Sequence, residues 1–207
     1  YLKSSFVTQT YHAYDQANQV LSMTRETRHF DPFFESTGIS VEEITTRYNS
    51  RGQMHESAVV RTDFQVGGNR ERSGFDSKDI TSKKTVTSVT RIDDTGYDSA
   101  GRMVHFMSAN FEGEILKIKV SGIEKDFTWN ALSESEKKAI LLGDMKDRLV
   151  SAVVVTTMGN VGFNDDNQMD SWSASARALG TATTNLQVLF RDNLVGMEAH
   201  VDNIPLL

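Results

Sequence analysis

Cysteine is absent from this chain of 207 residues. Its absence excludes disulfides, thiolate zinc sites and a cysteine nucleophile, and it leaves the redox compartment open. Proline occurs only at Pro32 and Pro205, and no proline- or serine-rich linker divides the chain. A surplus of positive charge is missing too. The net charge of −6 provides no basic stripe to neutralise phosphates and no attraction to an anionic membrane. The longest apolar run, Leu149 to Val155, has the length of a buried strand and falls short of a bilayer span. No Gly-x-Ser-x-Gly elbow is present, and His12, His29, His55, His105 and His200 show no metal-ligand spacing. The glycines of Gly67 to Gly74 do not open a helix after a strand, so a phosphate loop is not indicated.

What is present is one short pattern in three copies. They run Tyr14 to Val20, Tyr48 to Met54 and Tyr97 to Met103. Each reads aromatic, Asp or Asn, two variable residues, Gly or Asn, a long polar residue, then an apolar one. The second position (Asp15, Asn49, Asp98) is a side chain that can bond the backbone two residues on. The fifth (Asn18, Gly52, Gly101) tolerates positive φ at least cost. This combination predicts a type I turn closed by a left-handed residue, the bulged loop of a β-hairpin. Thr- and Val-rich flanks, such as Lys84 to Ile92 and Ala58 to Phe64, predict the strands. Spacings of 34 and 49 residues are irregular for a uniform solenoid.

The three heptads resemble the YD repeats of bacterial Rhs proteins and related very large surface or secreted proteins. Tyr97 to Met103 fits that unit best; Asn49 and Gln53 depart from it in the second copy, and Asn18 in the first. The resemblance covers about residues 1–112. It implies a β-rich extracellular architecture built of repeats, and no enzyme within them. The opening at Tyr1, with no leader-like segment, suits a processed chain or a piece of a larger precursor.

The expected fold is mainly β, with antiparallel hairpins in a sandwich- or fibre-like arrangement and one short amphipathic helix. Hairpins are expected within residues 1–30, 39–64 and 80–107, followed by a strand from Glu114 to Val120. Ser133-Glu134-Ser135-Glu136 is a capping box, which predicts a helix near 133–147 with Trp129 at its entrance and Gly143 interrupting or ending it. Further strands are expected at Leu149 to Met158, Ser173 to Leu179, Thr183 to Phe190 and Leu194 to Val201. Residues 1–112 form the repeat region and 113–207 a β-rich region with the helix, as two lobes or one continuous domain. The heptads are not expected to extend into the second region.

Chemistry is sparse. Asp165, Asp166, Asn167 and Asp170 supply oxygens of the kind calcium takes, without EF-hand spacing; an acidic loop is the alternative and the preferred reading. Asp93, Asp94, Asp144 and Asp147 read as surface charge. No cofactor is otherwise indicated. Three functions follow in order. The first is a non-enzymatic extracellular structural protein that assembles with itself through strand edges. Val150 to Thr157, Tyr1 to Thr10 and Asn193 to Leu207 are the candidate segments. The second is a carbohydrate-binding module that stacks sugars on Trp129, Trp172 and Phe30, Phe33 and Phe34. The last is an enzyme or a fragment of an Rhs-type toxin shell.

Overall fold

A computed structural model of the chain describes residues 4–30, 36–66, 80–164, 166, 168–180 and 200–201. The fold is mainly β with one short helix. In chain order the strands are β1 (Ser4–Tyr14), β2 (Val20–Phe30), β3 (Ser36–Tyr48), β4 (Met54–Val66), β5 (Ile80–Arg91) and β6 (Phe106–Glu112). There follow β7 (Ile115–Val120), β8 (Ile123–Thr128), the helix α1 (Glu134–Leu142), β9 (Val153–Phe163), β10 (Met169–Leu179) and β11 (His200–Val201). One sheet carries the order β1-β2-β3-β4-β5-β6-β9-β10-β11, while β7 and β8 form a separate hairpin. Every pairing in the large sheet is antiparallel except the short parallel match of β11 to Ser175 and Ala176 of β10. The sheet runs across residue 112 without a break, because β6 pairs directly with β9.

β1 through β5 are 11 to 13 residues long, about twice the usual strand. Their composition explains it: β-branched and polar residues alternate along them, and none contains proline. Up-and-down order then places the β1–β2, β3–β4, β5–β6 and β9–β10 turns at one end of the sheet.

Residues 113–152, between β6 and β9, fold back over the middle of one face. There Ala58, Val89, Ala109 and Val155 form a row across β4, β5, β6 and β9. Phe111 and Val153 lie in the adjacent row. Over them pack Leu116, Ile118, Trp129, Leu132, Ile140, Leu141, Met145 and Leu149, all buried. Small residues in the sheet leave room for bulky ones in the cover. Each fully buried Phe, Leu or Ile contributes about 1.5–3 kcal/mol of apolar burial.

The helix is shorter than its pattern predicts. Ser133 caps it, with its hydroxyl accepting from the Glu136 N–H while the Glu136 carboxylate accepts from the Ser133 N–H. Gly143 ends it at φ 79, in the left-handed region that favours glycine. The Arg177 guanidinium lies within 2.8 Å of where a Cβ would sit, so a side chain there would also have to displace it. Leu142, on the predicted apolar face, is exposed.

The strand that follows begins at Val153 and runs to Phe163, and β10 starts at Met169 instead of Ser173. Val150 to Thr157 is no edge: β9 lies between β6 and β10, with Val153, Val154 and Val155 buried. In the third hairpin Tyr97 and Met103 meet only in an isolated bridge, and the outgoing strand starts at Phe106. The expected strand Thr183 to Phe190, most of Leu194 to Val201, the glycine-rich loop, and Phe33 and Phe34 lie outside the described residues.

Candidate functional site

The heptads are brought together as one structure, a ladder of turns along one end of the sheet. In each, the second residue organises the loop. Asp15 Oδ1 accepts from the N–H groups of Ala17 and Gln19, at 2.8 Å each. Asn49 Oδ1 does the same for Arg51 and Gln53, and Asp98 Oδ1 for Ala100 and Arg102. The backbone closes identically: the fifth N–H donates to the second carbonyl, and the second N–H to the sixth. Asn18, Gly52 and Gly101 all have positive φ, of 61, 76 and 79. Backbone donation to a carboxylate favours its charged form. Asp98 is accordingly held below the ordinary aspartate range by the Arg102 backbone N–H first and the Arg102 side chain next.

A fourth copy stands where the acidic cluster was read. Phe163-Asn164-Asp165-Asp166-Asn167-Gln168-Met169 obeys the same rule, with Phe for Tyr and Asn for Gly. Asn164 Oδ1 accepts from the N–H groups of Asp166 and Gln168, and the Asn164 N–H donates to the Gln168 carbonyl at 2.9 Å. The pattern therefore does reach the second region, joining β9 to β10. Of the calcium candidates, Asp165 and Asn167 lie outside the described residues. Asp166 belongs to the turn, and Asp170 Oδ1 accepts from the Ser171 hydroxyl. Among the described residues no three His, Asp or Glu side chains gather to hold a metal ion.

Neighbouring turns are tied to one another. The Tyr48 hydroxyl donates to the Val20 carbonyl at 3.1 Å, and the Tyr97 hydroxyl to the Met54 carbonyl at 2.6 Å. In both cases the first residue of one copy reaches the seventh of the copy before it. Burial raises the Tyr97 phenol above its ordinary value, so it stays a donor. The sixth residue reaches the other way. Gln19 Nε2 donates to the Gly52 carbonyl at 2.7 Å, and the Gln53 amide lies against Gly101. The Arg102 guanidinium stacks 4.2 Å from the centre of the Phe163 ring. At that last step, a cation on a ring face replaces the tyrosine bond.

A second cluster lies beneath the N-terminus of α1, built from residues far apart in sequence. Glu56 on β4 is 3% exposed. Its Oε1 accepts from Lys137 Nζ at 2.9 Å and from Arg47 at 2.8 Å, and Arg91 stands 3.7 Å from Oε2. Glu134 bridges Arg47 at 2.7 Å and Arg91 at 2.8 Å, and Asp93 pairs with Arg91. Three cations thus face three carboxylates, and the set locks β3, β4 and β5 to α1. Glu134 is held at a pKa of about 2, by the Arg47 hydrogen bond first, with Arg91 and both charges adding to it. Every carboxylate here has a cation within 4 Å, although the buried Glu56 Oε2 accepts no hydrogen bond, and the cluster acts as a clamp.

The remaining sequence candidates do not converge. Trp129 is 3% exposed and packs in the core, within 5.9 Å of Lys137 Nζ, so it offers no stacking platform. Trp172 is half-buried on β10. Beside Trp129 a cleft of about 130 Å³ opens between Glu43, Thr45 and Val60 of the sheet and Thr128 to Asn130 of the cover. His12 meets the Thr24 hydroxyl, and His55 meets the Ile92 carbonyl. No helix among the described residues is long and apolar enough to cross a membrane.

β1 is the outer strand of the sheet, and no described residue pairs with its far side. Along Ser4–Tyr14 there is no Lys, Arg, Asp, Glu or Pro. Among the described residues, Phe6, Val7, Tyr11 and Tyr14 are four of the nine exposed large apolar side chains, a concentration on one strand. Its pairing with β2 shifts register twice, between Tyr11 and Ala13 and between Ala13 and Tyr14, and is regular from Ser4 to Tyr11. No protein-family model, curated protein or solved structure matches the chain.

Proposed function

We propose that this is a non-enzymatic structural protein that assembles through strand edges, at the cell surface or outside the cell. The observation that carries the reading is β1. Natural edge strands are blunted by charge, proline, shortness or bulges, because an open edge templates another strand. β1 is 11 residues long, uncharged at neutral histidine, free of proline and regular up to Tyr11. Such an edge is suited to strand addition, in which backbone hydrogen bonds supply affinity and alternate side chains supply register. The repeat-like turns and their likeness to YD repeats support the extracellular setting. The carbohydrate-binding alternative loses Trp129 as a platform and has no observation in its favour.

Sedimentation velocity across the widest soluble concentration range tests the reading. The wild-type chain is expected to associate as concentration rises. Val7→Lys with Gln9→Lys is expected to keep it monomeric at unchanged thermal stability. A wild-type chain that stays monomeric throughout, or a lysine variant that associates equally well, would sink the proposal.

A further inference from the structure

The β1 edge is open along the strand itself. Every residue from Ser5 to His12 is exposed, whereas β2, paired on both sides, is half-buried over most of its length. At the other end of the sheet β10 is flanked by β11. One open edge serves an assembly most simply when it is set against its own copy, and the sequence of β1 suits that. A two-fold axis brings a residue opposite itself, so a Lys or Glu near the axis would meet its own charge. Ser4–Tyr14 contains no such residue.

We infer that β1 of one copy pairs antiparallel with β1 of a second copy, about a two-fold axis at Gln9. This rests on the strand-edge reading above and specifies its partner and register. In an antiparallel ladder, opposed residues both turn their N–H and C=O toward the partner or both turn them away, so the axis falls on a residue. The regular stretch from Ser4 to Tyr11 offers few choices. An axis at Gln9 sets Val7 opposite Tyr11 and Thr8 opposite Thr10, each twice by symmetry. An aromatic against a β-branched residue and a threonine against a threonine are favourable cross-strand pairs. Gln9 itself meets an amide that both donates and accepts. An axis at Thr8 instead sets Tyr11 against Ser5 and Val7 against Gln9, and one at Val7 sets Gln9 against Ser5 and Phe6 against Thr8. The Gln9 axis alone covers Val7 and Tyr11 with each other. The contact is short, so it is weak and reversible. It is also isologous, so it closes at a dimer and joins two sheets into one.

The chain has no cysteine, so an introduced one reports the register. Opposed Cα atoms in an antiparallel pair lie about 4.5–5.5 Å apart, within reach of a disulfide. Under mild oxidation Gln9→Cys is expected to bridge to its own copy at least about tenfold faster than Val7→Cys, whose two copies stand about 13 Å apart along the strands. Val7→Cys combined with Tyr11→Cys in one chain is expected to link as fast as Gln9→Cys. All three side chains are exposed, and unchanged thermal melts of the reduced variants check that the fold is kept. In sedimentation velocity the wild type is expected to reach a dimer and grow no further. If the wild type associates while Gln9→Cys links no faster than Val7→Cys, or if it grows past the dimer, the two-fold register is wrong and the strand-edge reading survives. If the wild type stays monomeric at every concentration, both fall.

Discussion

At the scale of single residues, the turn is specified by the second and fifth positions, and the neighbouring turn by the first and sixth. Asp15, Asn49, Asp98 and Asn164 each satisfy two backbone donors that a tight loop would otherwise leave to water. The tyrosines act across copies. Tyr97→Phe removes the donor to the Met54 carbonyl and leaves the ring packing intact. It is expected to cost about 1 kcal/mol and to lower the calorimetric midpoint by about 2–4 °C in a chain of this size. An unchanged midpoint would mean that the hydroxyl bond contributes nothing net. Glu134 supplies a pH signature. Its pKa is lowered on folding, from 4.5 to about 2, so its contribution is fully present above about pH 4.5 and is lost as the pH falls through about 2. Because the carboxylate is half exposed, the effect is expected to be modest. Urea midpoints measured through that window should fall on acidification, and the fall should be shallower in Arg47→Ala.

At the scale of elements, the helix is a lid whose seat is electrostatic as well as apolar. Glu56→Ala leaves Lys137 and Arg91 buried without their shared carboxylate, and is expected to destabilise by about 3–5 kcal/mol in denaturant melts. A loss below about 1 kcal/mol would show that the clamp is replaceable. Much of this level is legible in the sequence because its causes are local. The turns close over four residues, and the Ser133 box and Gly143 mark the two ends of α1. The fourth turn follows the same pattern, but Phe163 in place of Tyr conceals it, and its run of acidic and amide residues reads as an acidic loop with weak calcium candidates. The clamp is invisible because Glu56 and Lys137 stand 81 positions apart. The position of β9 is equally hidden. An apolar run such as Val153 to Val155 announces a buried strand and says nothing about which strands flank it.

At the scale of the whole molecule, the cover protects the centre of one sheet face and leaves the β1 side exposed. β4, β5, β6, β9 and β10 contribute the sheet residues of the main core cluster and β3 adds buried Ile39, whereas β1 has mostly exposed side chains and β2 contributes no fully buried one. Stability is therefore concentrated in the β4–β10 half, and the open half is available for assembly. The most direct measurement is backbone hydrogen exchange read residue by residue at low and high protein concentration. The account predicts that association slows exchange along β1, while β4, β5 and β6 exchange at the same rate at both concentrations. Protection that appears elsewhere on association, or no concentration dependence in β1, would contradict it.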